Sequence, residues 1–526
     1  MAALIAYKCS HISNAVRRNY LTLLLVRRCT TAQKEKKGIV LGIFETDNDV
    51  DGIAFTPSAE NFNQRTSGKL SELLHLSGQT LKKGKSRLFY GIDKEYTSVA
   101  VVGLGKQSAG VNELEEINES KENIRTAAAV GARQLRDIGI KDIEIDPSTD
   151  AQAAGEGASL GLFAYDELKQ ESKRKPHVNL SLHGNQDSLD QWQKGILLGD
   201  CQNFARKLME MPANKLTPVE FANQVVSKMT DLDHVQTTIR NKQWIEEKKM
   251  FSFLSVAQGS NQPPVFLEIQ YSGCSNKDSP PLVLVGKGVT FDCGGISIKP
   301  AAQMDMMRGD MGGAAVVVAA LLAIATLKIP INVVCLTPLC ENLINGEAVK
   351  PGDVVTAMNG KSIQVDNTDA EGRLLLADAL HYGCTSFHPT AIINAATLTG
   401  AMAVALGSAA TGVFTNSRKL WTNLYMAGIE TGDRLWRMPL FEHYTKQITD
   451  SQLADLNNIG KAARDGGACT AAAFLKEFVT CSHWAHLDIA GVMTNKDEVP
   501  YIGKGMSGRP TRTLVEYASR IADDIC

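Results

Sequence analysis

Apolar positions in this chain fall into two spacings. Short unbroken runs, GIVLGIF (38–44), TSVAVVGLG (97–105), PPVFLEIQY (263–271), PLVLVGKG (281–288), INVVCLTPL (331–339) and TAIINAATLTG (390–400), read as buried strands. KDIEID (141–146) and HVNLSLHG (177–184) read as two more. Helical spacing marks residues 122–139, closed by Gly139, residues 157–169, and the long stretch 187–211, broken at Pro212. Residues 314–327, AAVVVAALLAIATL, form an apolar run of 14, short of the roughly 20 needed to span a membrane, and read as a buried helix. Alternating strand and helix predicts an α/β fold: a smaller N-terminal domain over 35–186, a linker helix over 187–211 and a larger α/β domain over 212–526.

The bulk composition agrees with this division. A chain of 526 residues with 44 % apolar residues is comfortable as two domains with large cores. A formal charge of −2 provides no field that would gather nucleic acid or anionic membrane. The 11 cysteines are scattered, with no C-x-x-C, which points to a reducing compartment rather than a disulfide framework. The first 34 residues differ from the rest: they hold six lysines and arginines and no acid before Glu35. That pattern predicts a mitochondrial presequence, removed before folding, and hence a matrix location.

Two motifs lack what their chemistry needs. VVGLGKQSAG (101–110) follows a strand but has neither the third glycine of G-x-G-x-x-G nor a Gly-Lys-Ser/Thr ending, and reads as a plain strand-to-loop turn. HWAHLD (483–488) spaces its histidines by three without the intervening glutamate of a zinc protease, and reads as partly buried histidines near a strand.

Three segments of the second domain carry the candidate chemistry. VGKGVTFDCGGISIKP delivers Lys287, Asp292 and Lys299; MDMMRGDMGGAA delivers Asp305 and Asp310; NTDAEGRL delivers Asp369, Glu371 and Arg373. If the backbone at Asp369 and Glu371 is extended, their carboxylates share one side. Four carboxylates in one pocket would need cations, partly Lys287, Lys299 and Arg373 and otherwise divalent metals. Oxygen ligands favour Mn²⁺, Mg²⁺ or Zn²⁺. Taken singly, each acid is equally readable as a turn or helix cap.

These three segments resemble the signatures of the leucine aminopeptidase family, two-metal exopeptidases also called cytosol aminopeptidases. The likeness runs from about Gly38 to the C-terminus and is strongest after Leu216. It implies a catalytic α/β domain with a central mixed sheet flanked by helices, and a hexamer of two trimers. One metal would be held by Asp292, Asp369 and Glu371, the other by Lys287, Asp292, Asp310 and Glu371, with Lys287 neutral. The resemblance gives Lys299 the developing oxyanion, Arg373 a bicarbonate ion, and Met307, Thr397, Gly400, Ala490 and Met493 the pocket for an apolar first side chain. The expected activity is removal of N-terminal leucine and similar residues from peptides. The rival expectation is a structural member of the family, abundant in mitochondria, of the kind found in insect sperm; DNA binding is a weaker third. Three positions depart from the family pattern: Cys293 for serine or threonine, Gly309 for alanine and Phe251 for glycine. The thiol would make the site sensitive to oxidation, and the phenyl ring would crowd a loop.

Residues 1–40 fused to a fluorescent reporter are expected to carry it into mitochondria; a diffuse cytosolic signal would refute the presequence.

Overall fold

The computed structural model describes residues 36–46, 53–78, 81–184, 186–462, 465–496 and 498–525, so the predicted presequence lies outside the described residues. In the N-terminal part, Lys37–Glu45 is the central strand. Tyr96–Lys106 and Asp142–Ile145 flank it in parallel, Asn179–Leu182 extends the sheet in parallel, and Ser86–Tyr90 closes the other edge antiparallel. Ile53–Phe55 adds a short antiparallel pairing to the central strand. Helices Glu119–Asp137 and Ala151–Leu162 cover one face, Pro57–Arg65 and Lys69–Leu76 the other. The VVGLG run ends its strand at Lys106 with Gly105 at φ +71°, the strand-to-loop turn expected.

One helix begins earlier than its sequence pattern implies. The expected 157–169 helix spans Ala151–Leu162, because Asp150 caps it by accepting from Ala153 N and the small-residue run AQAAGEG packs tightly enough to start it there. Gly157 touches the neighbouring helix: a Cβ there would stand 2.1 Å from Arg125 O. On the far side, Gly195 of helix Leu189–Glu210 approaches Gln152 O equally closely.

Leu189–Glu210, the expected linker helix, packs on both Ala151–Leu162 and the apolar helix Gly312–Thr326. Buried arginines fasten the two parts. Glu156 receives Arg125 Nε and Arg512 Nη1, each at 2.7 Å, and Arg512 Nε donates to Gln202 Oε1 at 2.7 Å. Arg206 donates to the carbonyls of Leu160, Ile502 and Met506. Removing any one partner would strand a buried charge.

The second part is built on a nine-stranded mixed sheet. Its four central strands, Trp484–Asp488, Ala391–Ala396, Leu282–Gly286 and Asn332–Asn342, run parallel. Outer strands Thr411–Thr415 and Val265–Ser272 are antiparallel to them. The helix Gly312–Thr326 lies in the core, so its 14-residue apolar run is buried in protein. Parallel strands all end at the same edge, which is where α/β sheets gather their ligands. Among the described cysteines seven are free thiols, six of them buried, and Cys274 is disulfide-bonded.

Gly157→Val is expected to destabilise the fold by about 3 kcal/mol by forcing two helices apart. Gly346→Ala, where a Cβ meets nothing within 4 Å, is the neutral control. Thermal unfolding of both variants is the measurement, and equal melting temperatures would contradict the packing argument.

Candidate metal centre

The site sits at the C-terminal ends of the central parallel strands. Leu282–Gly286 continues past Lys287 into Gly288–Asp292, and both halves pair with Asn332–Asn342. Lys287 and Asp292 are five apart, so an unbroken strand would turn them to opposite faces. Between Val289 and Asp292 the register slips by one residue against Cys340 and Asn342. That bulge brings the two side chains to the same face. Lys287 N donates to Ala395 O at 3.1 Å, and Lys287 O accepts from Ala314 N at 2.8 Å. The start of the apolar helix comes this close because Gly313 has no Cβ, which would stand 2.1 Å from Ala395 O. Asp310, just ahead of that helix, is thereby carried to Lys287.

Asp369 and Glu371 arrive differently from the extended geometry considered for them. They lie in a turn that leads into helix Gly372–Phe387, with Glu371 at φ −80° and ψ −36°. Asn367 Oδ1 accepts from Asp369 N at 2.9 Å and folds the turn. The carboxylates converge all the same: ligand atoms of Asp292, Asp369 and Glu371 lie within 4.8 Å of one another. Gly372 leaves room for the Lys287 stem, whose Cε would be 2.5 Å from a Cβ there.

Charge dominates the cluster. Lys287 Nζ stands 2.7 Å from Glu371 Oε1 and 2.8 Å from Asp310 Oδ2. Lys299 Nζ stands 2.6 Å from Asp292 Oδ2 and also pairs with Asp369 Oδ1. Four carboxylates face two ammonium groups, so with every acid ionised the lysines would leave two negative charges unmatched. Burial, then the Glu371 and Asp310 charges, push the Asp292 carboxyl well above its usual range. Burial pushes Asp310 up to about 7 against the pull of Lys287. Burial also raises Glu371, but Lys287 and Lys299 outweigh it and hold the group low. Both lysines are desolvated, yet the surrounding carboxylates hold them above the ordinary lysine range. Asp310 Oδ2, Asp369 Oδ1 and Glu371 Oε1 are buried and meet the lysine ammoniums, with no other donor among the described residues. Carboxylate oxygens so gathered fit divalent cations, and Asp292, Asp369 and Glu371 with Lys287 and Asp310 are the residues that would hold them.

Several residues around the site were not signalled by any motif. Asn342 Nδ2 donates to Asp292 Oδ1 at 2.7 Å and to Thr368 O at 3.1 Å. Asn458 grips the acidic turn: Oδ1 accepts from Asp366 N and Asn367 N, and Nδ2 donates to Asn367 O. Its carbonyl accepts from Arg373 Nη1 at 2.7 Å. Arg373 is buried beside the cluster, and that burial lowers its guanidinium to about 10. Asp488, inside the dismissed HWAHLD run, is buried and accepts from Leu398 N, Thr399 Oγ1 and Ala490 N. It ties the segment before Gly400 to Ala490. A lone Asn or Asp carries no spacing signal, so sequence had no means of finding these three.

Of the expected pocket residues, Thr397 touches the cluster directly. Thr397 Oγ1 donates to Asp310 Oδ1 at 2.8 Å, and Thr397 O accepts from Lys287. Met307 lies in the 3₁₀ turn Met304–Gly309, where its carbonyl accepts from Asp310 N. Gly400 opens the helix Gly400–Leu406, and Met493 packs near Gly309. Asp305 is largely exposed and pairs with Arg308, outside the cluster. Asp366 and Asp378 keep local roles: Asp366 takes Gln364 and Asn457, while Asp378 accepts from Phe253 N and Met358 N.

The three departures differ in effect. Phe251 does not crowd a loop; it begins helix Phe251–Ala257 and is 44 % exposed. Gly309 is buried where a Cβ would meet Met506 Cε at 2.7 Å, so the glycine admits Met506. Cys293 is buried, and burial, with the Asp292 charge behind it, pushes its thiol up.

Residues 203–515 match the cytosol aminopeptidase family, catalytic domain, and residues 40–172 match that family's N-terminal domain. The chain is 62 % identical over 490 residues to the cytosol aminopeptidase of Xenopus tropicalis, covering 93 % of this chain and 94 % of the relative. It is 60 % identical over 489 residues to that of Homo sapiens, covering 93 % of each. Among solved structures it resembles a tomato leucine aminopeptidase mutant, at TM-score 0.78, 30 % identity and coverage of 93 % of this chain and 95 % of that one. The bottromycin maturation enzyme BotP in complex with Mn aligns at the same TM-score and identity, covering 93 % of this chain and all of the other.

Asn342→Ala is expected to weaken Mn²⁺ or Zn²⁺ binding by about 10–100-fold, because Asp292 loses its orienting donor. Calorimetric metal titration measures it, and an unchanged affinity would count against this placement.

Proposed function

The chain belongs to the cytosol aminopeptidase family and is a metal-dependent aminopeptidase, and from that premise we propose which residues do the work. The observation that carries the reading is the cluster of four carboxylates on two lysines. Two divalent ions per subunit, Zn²⁺ or Mn²⁺ with Mg²⁺ a further candidate, are assigned to Asp292, Asp369 and Glu371 and to Lys287, Asp292, Asp310 and Glu371. When bound, they supply Lewis-acid polarisation of the scissile carbonyl and a water ionised near neutral pH.

The chain's own groups divide the remaining tasks. Asp369 is the most open of the four carboxylates, its side chain 33 % exposed, and marks the side where the substrate's free amine enters. Lys299 is partly exposed between Asp292 and Asp369, so its ammonium can turn to the oxyanion that develops on the carbonyl. With Nη1 committed to Asn458, Arg373 keeps the Nε side of its planar fork for an oxyanion such as bicarbonate, which would accept the nucleophile's proton. Met307, Thr397, Gly400, Ala490 and Met493 receive the first side chain, and their largely apolar character favours leucine and its like. Asp488 fixes the relative position of two of these segments. The complete ligand set gives no support to a purely structural role. A homohexamer in the mitochondrial matrix completes the proposal, the first part from the family resemblance and the second from the basic leader.

The purified chain lacking residues 1–34, loaded with Mn²⁺ or Zn²⁺, is expected to release leucine from leucyl amide and to stop when the metal is chelated. Lys299→Ala should lose about 10²–10³ in kcat. Absence of turnover by the loaded protein, with a relative from the same family active in parallel, would sink the assignment.

A further inference from the structure

A second cavity lies in the N-terminal domain, on a different sheet from the metal centre. Strands Lys37–Glu45 and Tyr96–Lys106 are parallel neighbours there. After the first, the chain leaves over the face covered by Pro57–Arg65 and Lys69–Leu76; after the second, it leaves over the opposite face through Glu119–Asp137. The two exits diverge and open a crevice beyond the carboxyl ends of the strands, the place where open α/β sheets take their ligands. A cavity of about 500 Å³ lies in it, the size of a small-molecule site. The glycine turn at Gly105 forms one wall, and Glu45, Lys83, Lys106, Ser108, Glu119 and Asn123 stand around it.

The charges in this cavity balance rather than accumulate. Two ammoniums and two carboxylates line it. Lys83 Nζ stands 3.2 Å from Glu119 Oε1, and Lys83 N donates to Glu45 Oε1 at 3.1 Å. Asn123 is only 4 % exposed, and its buried Oδ1 accepts no hydrogen bond among the described residues. Its Nδ2 lies by the glycine turn, 3.4 Å from where a Cβ of Gly105 would be. A buried acceptor in that condition calls for a donor. A phosphate group offers mainly acceptors and finds no surplus of positive charge here. An α-amino acid offers both kinds of group: an ammonium with three donors for Asn123 Oδ1 and the acids, and a carboxylate for the lysines and the Ser108 hydroxyl.

We propose that this cavity binds a free α-amino acid, its ammonium on Asn123 and Glu119 and its carboxylate on Lys83, Lys106 and Ser108. The side chain lies along Val111, which also lines the cavity. An aminopeptidase releases ligands of this class, so the N-terminal domain takes up the product of the catalytic one. The glycine turn thus serves a ligand without being a phosphate loop, in keeping with the motif it lacks.

Equilibrium dialysis of labelled leucine against the Zn²⁺-loaded chain tests this, run beside inhibition of leucyl amide turnover by leucine. The inhibition constant reports leucine at the metal centre, whereas dialysis counts every leucine bound. The parent chain is expected to bind one equivalent beyond that at the metal centre. Asn123→Leu keeps the branched shape but loses the amide, and Lys83→Glu turns a carboxylate away. Each should weaken the extra equivalent about tenfold, with the inhibition constant, kcat and KM at parental values. Isoamylamine, which is leucine without its carboxylate, and isocaproate, which lacks the ammonium, should each displace it about tenfold less well than leucine does. Absence of the extra equivalent, or its full retention in either variant that folds, overturns the proposal. Displacement by adenosine monophosphate at lower concentration than by leucine overturns it too, in favour of a nucleotide site. Should Asn123→Leu fail to fold, Lys83→Glu decides. A chain that holds leucine through Asn123 but hydrolyses nothing would retire the aminopeptidase reading and leave this inference standing; an active chain without the extra equivalent would do the reverse.

Discussion

Four buried carboxylates facing two lysine ammoniums set the terms for the rest of the structure. Each of these acids is costly to bury alone, and each raises the cost of the next. The protein meets that cost with Lys287 and Lys299 inside the cluster and with oxygens left open to cations. Glu371 stays ionised because both lysines reach it, whereas Asp292 and Asp310, deeper among the other acids, are pushed toward protonation. The site is thus one electrostatic unit, in which changing any single charge changes the state of all the others.

Holding such a unit together requires a rigid frame, and the sheet supplies it. The strand ends at Lys287, Asn342 and Thr397 are fixed by ladder hydrogen bonds, while glycines at 313 and 372 let a helix start and a lysine stem come within contact distance. A further layer of neutral amides and hydroxyls, Asn342, Thr368 and Asn458, ties the glycine-rich loop to the acidic turn. These groups add direction without adding charge, which the cluster could not absorb. Farther out, the arginines around Glu156 hold the N-terminal domain and the last helix against the same frame.

The three positions expected to depart from the family pattern fall outside that unit or are absorbed by it. Phe251 lies on the surface at the start of a helix, so its ring displaces nothing. Gly309 exchanges its missing methyl for the approach of Met506. Cys293 lies beside Asp292 and is itself buried. None of them moves a carboxylate or a lysine of the cluster.

Much of this was legible in the sequence. Buried strands announce themselves as unbroken apolar runs, and every run singled out as a strand contains one, although 390–400 ends as a strand at Ala396 and 331–339 runs on to Asn342. The residues proposed as ligands were legible too, since Lys287, Asp292, Asp310, Asp369 and Glu371 stand in strings that resemble one family. The geometry that makes them a site was not legible. Lys287 and Asp292 share a face only because one residue slips out of register between Val289 and Asp292, and a register is a property of two strands rather than one. Asp369 and Glu371 meet through a turn pinned by Asn458, 87 residues beyond Glu371 in the sequence. The HWAHLD run read as partly buried histidines near a strand, and His486 lies buried on one, yet Asp488 gains its contacts from Leu398 and Thr399 on a neighbouring segment. The sequence by itself determined which chemical groups are present and which segments are buried. Only the tertiary structure decided which groups face one another, because charge and hydrogen bonding act across space between residues that no spacing along the chain relates.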